Sequence, residues 1–370
     1  MRLEGIDLLR GMAVSAVIIY HFFVILGLIN SPIFPYIHSF GLFGVSLFFV
    51  ISGYLIYRSV DYSISSRGIK IGLKNYMSHR LFRILPAYYF NFAIVFIMAT
   101  FIIASDYLYS FSFFKQVLSH LTFFSYFIYK DAGLGINGAY WTLSIEMLWY
   151  MVAPLLFIYI KKDRYLVLLF IMSLLYLLGL DLSFYDIIFD LKKNTSHYIL
   201  ELFYLSFQLP GQLIYFLAGI FIYKYLYKQI SISATSKYIY SIFIIVLFIY
   251  ITSQYNINKS FLVNNLFILF TVATLFILLY HSKPKWMRTL EWIGKISYSL
   301  YLWHMPILFV MNKSHILEYL SLFEAAVFFL ILLFSISTMS YYFIEEGGFN
   351  LRKKLEEKIK KRATACEGKL

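Results

Sequence analysis

The chain has 370 residues, of which 61% are hydrophobic and only 14% are charged, and its mean hydropathy is +0.74. This composition excludes an ordinary soluble domain and indicates an integral membrane protein. The formal net charge of +13 comes from basic residues scattered over successive short loops, so it does not indicate nucleic-acid binding. The single cysteine, Cys366, excludes an internal disulfide, and we expect neither a bound metal ion nor a bound cofactor.

Ten runs of the chain are apolar and about 17 to 25 residues long, the length of a helix that crosses the hydrocarbon core. They cover residues 8–29, 38–57, 86–104, 139–160, 164–180, 208–226, 238–254, 261–280, 296–312 and 322–344. The first run has no small-residue cleavage site, so it is expected to remain as a membrane helix and not to be removed as a signal peptide. The predicted fold is all-α: a polytopic membrane bundle of about ten helices over residues 1–349, followed by a basic tail over residues 350–370.

The distribution of lysine and arginine predicts the orientation of this bundle. With the amino terminus in the cytoplasm, 17 basic residues before the tail lie inside and six lie outside. The tail adds eight more on the inner side. Because basic loops stay preferentially in the cytoplasm, both termini are predicted to be cytoplasmic.

The longer connections carry further predictions. Residues 58–85 are predicted to be a basic cytoplasmic loop, which runs into SHRLFRILPAYY, where Arg80 and Arg83 share one helix face. Residues 105–138 and 181–207 are predicted to be outer loops. The first contains FKQVLSHLTFFSYFIY, which is short and polar enough to be a re-entrant or interfacial helix. The tail is expected to be a solvated basic helix on the inner membrane surface, in contact with anionic lipid.

The stretch GIDLLRGMAVSAVIIYH places two ionisable side chains in the first span. Arg10 and His21 are separated by almost three helical turns and therefore project from nearly the same face, ~16 Å apart along the axis. A purely structural interpretation is available. Arg10 would pair with Asp7 one turn earlier, and His21 would form a hydrogen bond with a neighbouring helix.

Two other spans contain ionisable residues that are costly in a membrane. The stretch WTLSIEMLWYMVAP places Glu146 about two turns from the end of its span. The stretch IGKISYSLYLWHMP places His304 two residues before Pro306. Because a proline cannot donate to the helical ladder and displaces the carbonyl four residues earlier, the carbonyl of Leu302 is predicted to be a free acceptor beside a kink.

Two more patterns concern helix ends and helix packing. Glu345 and Glu346, in YYFIEEGG, are predicted to lie at a helix carboxyl end, where negative charge is unfavourable. They should therefore have basic partners, which the same side of the membrane supplies as Arg10, Arg80 and Arg83. Small residues in the second span favour close helix packing. They are Gly41, Gly44, Ser52 and Gly53.

Taken in order, these motifs resemble the acyltransferase-three family of bacterial integral-membrane acyltransferases. After the arginine and histidine of the first span come GVSLFFVISGYL, RLFRILPAYY, WTLSIEMLWY, ISYSLYLWHMP and YYFIEE. The resemblance implies a ten-helix bundle in the bacterial inner membrane that transfers acetyl groups from cytoplasmic acetyl-coenzyme A to sugar hydroxyls of surface polysaccharides, such as the O-antigen of lipopolysaccharide. The chain departs from the family where Glu346, Gly347 and Gly348 replace the proline that often follows the final glutamate. Some relatives carry a fused periplasmic esterase-like domain, which this sequence is expected to lack.

The resemblance implies roles for nine residues. The catalytic candidates are His21, Arg10, Glu146 and His304, and the substrate-binding candidates are Arg80, Arg83, Trp141, Ser144 and Glu345. His21 is the expected general base, because histidine titrates near neutral pH, with His304 or Glu146 orienting it. A transient acyl-histidine is the alternative. The three arginines are expected to hold the phosphates of coenzyme A, with Arg10 and His21 sharing one polar passage.

Several alternatives remain open from sequence alone. The same ionisable residues would suit a transporter or flippase of lipid-linked glycan that performs no acyl transfer. The transferred group could also be succinyl or a longer acyl chain. The expected partners are acetyl-coenzyme A, a glycan or lipid-linked glycan acceptor and membrane lipid. The identity of the acceptor and the oligomeric state are not encoded in any readable motif.

Overall fold

The computed structural model describes residues 4–102, 111–124, 137–160, 162–184, 198–226, 233–254, 260–280 and 287–367. Within these ranges the chain forms helices and no strands. The first helices are α1 (Glu4–Ile25), α2 (Phe34–Ile37), α3 (Phe40–Arg67), α4 (Ile69–Ile102), α5 (Phe111–Leu121), α6 (Tyr140–Tyr159), α7 (Asp163–Asp181) and α8 (Tyr198–Ser206). They are followed by α9 (Leu209–Phe221), α10 (Ala234–Gln254), α11 (Phe261–Leu279), α12 (Arg288–Lys295), α13 (Ser297–Lys313), α14 (Leu322–Ser340) and α15 (Glu346–Glu367).

The predicted all-α membrane bundle is confirmed. In the described ranges, nine helical segments are long and apolar enough to cross a membrane. The tenth predicted span, residues 296–312, corresponds to α13, which has 17 residues. Which ends of the helices lie in the cytoplasm stays a prediction.

The predicted loop over residues 58–85 is wrong, because this stretch is helical. Helix α3 continues to Arg67 and α4 begins at Ile69, so the only break is Gly68. Gly68 has a φ of +73°, which a glycine adopts without steric cost, and its N–H donates to the carbonyl of Ile64 over 2.9 Å. The polar residues after position 57 show where the apolar run ends, but they do not show where the helix ends. Lysine, arginine and leucine form helices well in water, so the helix continues beyond the apolar run.

Helix α3 is the central helix of the bundle, packed against α1, α4, α6, α9 and α11. It crosses α9 so closely that a Cβ atom on Gly53 would lie 2.1 Å from the carbonyl oxygen of Phe216. A Cβ on Gly219 would lie 2.2 Å from the carbonyl oxygen of Val50. Backbone contacts this short require glycine on both helices. The predicted small-residue packing is confirmed for Gly53.

The carboxyl-terminal helices form one continuous element. A π-helical turn, Tyr341–Glu345, joins α14 directly to α15. The prediction that Glu345 and Glu346 end a helix is therefore wrong. The helix continues through Gly347 and Gly348. A Cβ on Gly348 would lie 2.7 Å from the carbonyl oxygen of Phe82, so this glycine allows the helix to pass close to α4. The proposed boundary at residue 349 falls inside α15, and the membrane-surface position of the tail stays a prediction.

The predicted short helix in the first outer loop corresponds to α5. The hydroxyl groups of Tyr88 and Tyr89 on α4 donate to the carbonyls of His120 and Leu121, each over 2.9 Å. These bonds attach the end of α5 to α4. Residues 105–110 and 125–136 of this loop lie outside the described residues, as do residues 185–197 of the second outer loop.

Candidate functional site

Residues of five helices, α1, α3, α4, α6 and α13, line a cavity that is partly open to its surroundings. Four of the predicted site residues line it: Arg10, Arg80, Arg83 and Glu146. On α3 the lining residues extend from Ile56, near the arginines, to Val45, which is ~16 Å at the rise of an α-helix. The cavity is thus an elongated space with its positive charge at one end.

The three arginines are held in different ways. Arg80 donates to the carbonyl of Leu55 over 3.2 Å and lies over the ring of Tyr150, 5.6 Å from its centre. Arg10 is 3.9 Å from Asp7, so the pairing expected in the structural interpretation exists, at long range, while Arg10 also lines the cavity. Arg83 makes no hydrogen bond or ion pair with the described part of the chain, and it lies near enough to Arg10 for their charges to repel each other. This arrangement favours an anion.

Glu146 is fixed by two hydroxyl groups. Ser52 donates to its Oε1 over 2.7 Å, and Tyr150 donates to the same oxygen over 2.9 Å. The negative charge of Glu146 also acts on Arg10. Ser52 was predicted only as a small packing residue, so its polar role was missed. No local pattern connects Ser52 with Glu146, which lies 94 positions away in the chain.

His21 and His304 form a hydrogen-bonded pair. The Nε2 of His304 lies 3.1 Å from the Nδ1 of His21, and the Nδ1 of His304 lies 2.7 Å from the carbonyl oxygen of Tyr301. A carbonyl only accepts, so His304 carries its proton on Nδ1 and its Nε2 must accept. His21 then donates from Nδ1, and Nε2 carries the lone pair of its neutral ring; the His21 ring also makes a hydrogen bond with the backbone of Val17. This places His304, and not Glu146, next to His21.

The cavity stops one helical turn short of this histidine pair. Neither His21 nor His304 is among its lining residues, whereas Tyr301, three positions before His304, is. The Tyr301 hydroxyl is 2.7 Å from Thr142, and its ring meets Phe48 edge to face at 6.0 Å. The cavity that Arg10 lines thus does not reach His21, and the polar passage expected to join the two residues stays a prediction. Helical spacing predicts the common face of Arg10 and His21 but could not reveal the place of Tyr301, which lines the cavity while its ring lies 5.4 Å from the ring of His304.

The carbonyl of Leu302, which was predicted to lack its helical donor, accepts a hydrogen bond from outside the helix. Helix α13 continues through Pro306, and the side-chain amide of Asn137 donates to the Leu302 carbonyl over 3.2 Å. Asn137 was not predicted as a site residue. Its contact partner is 165 positions away in the chain, and no local pattern connects the two.

The remaining predicted residues lie around the cavity without lining it. Glu345 is buried and accepts a 2.5 Å hydrogen bond from Ser299. The positive charges of Arg83 and Arg10 attract the carboxylate of Glu345, as expected, although within the described residues neither arginine forms an ion pair with it. Ser144 is buried on α6, one turn from Tyr140, and the Trp141 ring stacks on Phe207 at 4.5 Å. The described residues contain no group of three or more His, Cys, Asp or Glu placed to hold a metal ion.

Comparisons with known proteins add a family assignment to this geometry. A family model described as "Acyltransferase domain" matches residues 3–344. O-acetyltransferase OatA of Staphylococcus aureus strain NCTC 8325 is 28% identical over 363 residues, which is 93% of this chain and 56% of the relative. OatA of strain COL gives the same figures, so this chain spans a little over half the length of these relatives. No solved structure matches the chain significantly.

Proposed function

Because the chain belongs to the acyltransferase family whose domain model matches residues 3–344, we propose that it is a membrane O-acetyltransferase. It takes acetyl groups from cytoplasmic acetyl-coenzyme A and transfers them to a hydroxyl of a cell-surface polysaccharide or glycolipid, such as O-antigen, capsule or exopolysaccharide. The bacterial cytoplasmic membrane is its site of action. One observation carries this proposal: a cavity with three arginines at one end terminates one helical turn from a hydrogen-bonded histidine pair.

The arginine end of the cavity suits the phosphates of the donor. Three guanidinium groups line it against one carboxylate, that of Glu146, and arginine binds phosphate through two parallel hydrogen bonds. The ~16 Å from Ile56 to Val45 is comparable to an extended phosphopantetheine arm. The thioester would then lie at the far end, beside Thr142 and Tyr301, whose hydroxyls are the nearest candidates to stabilise an oxyanion.

His21 is the general base in this proposal. Its Nε2 takes the proton of the acceptor hydroxyl as the new bond forms between that oxygen and the acetyl carbon. The bond from carbon to sulfur breaks, and the proton passes to the departing thiolate. His304 keeps His21 in the required tautomer through the contact at Nδ1. In the alternative with an acyl-histidine, Nε2 attacks the same carbon first, the bond from carbon to sulfur breaks and the thiolate leaves. The acceptor hydroxyl then attacks this carbon and displaces Nε2, and its proton passes to the thiolate.

The other predicted residues have supporting roles. Glu146 balances the charge of Arg10 while Ser52 and Tyr150 hold it in place. Glu345, held by Ser299, does the same for Arg83. Trp141 and Ser144, on the first turns of α6, are candidates for contact with the acceptor sugar. Access of the thioester to His21 requires the Tyr301 side chain to move away from Thr142.

The proposal is tested with membrane vesicles that contain the protein, acetyl-coenzyme A labelled in the acetyl group, and the native surface glycan. His21→Ala is expected to reduce transfer at least ~100-fold, the usual contribution of a general base. His315→Ala, at an exposed histidine beside Glu318, is the matched control and should leave transfer unchanged. Normal transfer by His21→Ala would overturn the assignment. Loss of polymer export with acetylation intact in a gene deletion would instead support the flippase.

A further inference from the structure

A proline leaves one backbone carbonyl of α13 without its helical donor. Pro306 has no N–H, so the carbonyl of Leu302, four residues earlier, cannot form the usual helical bond. Buried carbonyls are almost always paired, because an unpaired one forfeits its hydration without compensation. In this protein the partner comes from outside the helix, from the side-chain amide of Asn137 over 3.2 Å.

Asn137 is itself held in one orientation. It is only 5% exposed, and its Oδ1 accepts from the backbone N–H of Ala139 over 3.0 Å. Its Nδ2 faces two acceptors, the Leu302 carbonyl and, at 3.4 Å, the Oδ1 of Asn91. If the side-chain amide were turned the other way, its oxygen would face these two acceptor oxygens and could not bond to either. Tyr140 fixes Asn91 in turn, with a 2.6 Å hydrogen bond to the same oxygen.

The carbonyl that Asn137 holds is adjacent to the one that orients His304. The peptide units of Tyr301 and Leu302 are consecutive, and the Tyr301 carbonyl accepts the proton of His304 Nδ1 over 2.7 Å. A rotation of this backbone segment would therefore shift the His304 ring and its 3.1 Å contact with His21. Asn137 thus acts on the histidine pair through two neighbouring carbonyl groups.

We propose that Asn137 is a positioning residue for the histidine pair: by occupying the carbonyl freed by Pro306, it fixes the backbone that orients His304 and, through it, His21. This inference rests on the proposed function, because the value of the orientation lies in proton transfer by His21. Asn137 touches neither reacting group, and its contribution should appear in the chemical step and not in donor binding.

The first test is a double-mutant cycle measured by acetyl transfer. Asn137→Ala is expected to lower kcat about tenfold, the effect of one lost hydrogen bond expressed fully in the transition state, while KM for acetyl-coenzyme A stays within about twofold. Pro306→Ala restores an N–H four residues after Leu302, so Asn137→Ala should cost much less in that background. An equal loss of kcat in both backgrounds would overturn the proposal.

A matched control separates positioning from loss of fold stability. The side-chain amide of Asn265 also donates to a backbone carbonyl, that of Phe261, over 2.8 Å, and its oxygen accepts a 2.8 Å hydrogen bond from Tyr215. Asn265 lies on α11, which contributes no residue to the cavity. Asn265→Ala should lower the melting temperature in detergent about as much as Asn137→Ala and leave kcat unchanged. Equal losses of kcat in the two variants would contradict a positioning role.

A second readout does not depend on acetyl transfer. Diethyl pyrocarbonate modifies the free nitrogen of neutral imidazole, and peptide mass spectrometry reports the rate at His21 separately from the rate at exposed His315. Asn137→Ala should slow modification of His21 several-fold and leave His315 unaffected, with restoration in the Pro306→Ala background. An unchanged rate at His21 would overturn the proposal. If the wild-type protein transfers no acetyl group and the variants still show this pattern of modification rates, only the proposed function is contradicted.

Discussion

The Nε2 of His304 accepts a hydrogen bond from the Nδ1 of His21 over 3.1 Å, and the two residues are 283 positions apart in the chain. The direction of this bond follows from the carbonyl of Tyr301, which can only accept from the other nitrogen of His304. His21 is thereby left with one basic nitrogen, Nε2. In the proposed function, His21 is the base and His304 is its orienting group, and no carboxylate of the described residues takes part in the 3.1 Å contact between them.

Substitution of His304 should reveal this orienting role. His304→Ala removes the acceptor for His21 Nδ1 and is expected to reduce kcat about 100-fold. In His304→Gln the side-chain amide oxygen can still accept that proton, so the loss should be nearer tenfold. Rates of acetyl transfer under saturating donor would measure both. Equal activity of the two variants would show that acceptance of the His21 proton is not what His304 contributes.

Arg83 should bind the phosphates of the donor. Arg83→Ala is expected to raise KM for acetyl-coenzyme A about tenfold or more, because a charge-assisted contact with phosphate is lost. A donor without phosphates, S-acetyl-pantetheine, should react equally well with wild type and variant. Arg288→Ala, at an exposed arginine on α12, is the control. A parallel loss with both donors would place the role of Arg83 elsewhere.

Phe48 should limit the length of the transferred acyl group. Its ring meets that of Tyr301 at the end of the cavity away from the three arginines, so an uncharged short acyl group fits better than succinyl. Phe48→Ala should raise the ratio of kcat/KM for propionyl-coenzyme A over acetyl-coenzyme A about tenfold. Phe43→Ala, on the same helix but packed against Phe248 at 5.0 Å, should not change this ratio. An unchanged ratio in Phe48→Ala would show that Phe48 does not limit the length of the acyl group.

The crossing of α3 and α9 should not tolerate a side chain at Gly53. Gly53→Ala places a methyl group 2.1 Å from the Phe216 carbonyl oxygen, and the required separation of the helices should cost about 1 to 3 kcal/mol. A lower melting temperature in detergent is the expected readout. Gly347→Ala is the contrasting variant, because nothing lies within 4 Å of its added Cβ, and it should be neutral or slightly stabilising. Similar melting temperatures for both variants would contradict the close crossing.

Hydropathy located the membrane helices well, because a span needs a run of apolar residues whatever its neighbours are. It failed at residues 58–85, where the helices continue beyond the apolar runs. Local chemistry was equally informative at Pro306, which predicts a free acceptor at Leu302 from covalent structure alone. The donor, Asn137, could not be predicted, because it depends on how distant helices pack. The same limit applies to the contact of Ser52 with Glu146 and to that of Tyr301 with Thr142, because each joins two distant helices.

The position of Tyr301 has a consequence for side reactions. A thioester is vulnerable to hydrolysis whenever a base and a water molecule reach its carbonyl together. With Tyr301 bonded to Thr142, His21 does not line the cavity that would hold the donor in the proposed function. A donor that has entered before its acceptor would therefore wait without being activated, and little acetyl-coenzyme A would be wasted as free acetate.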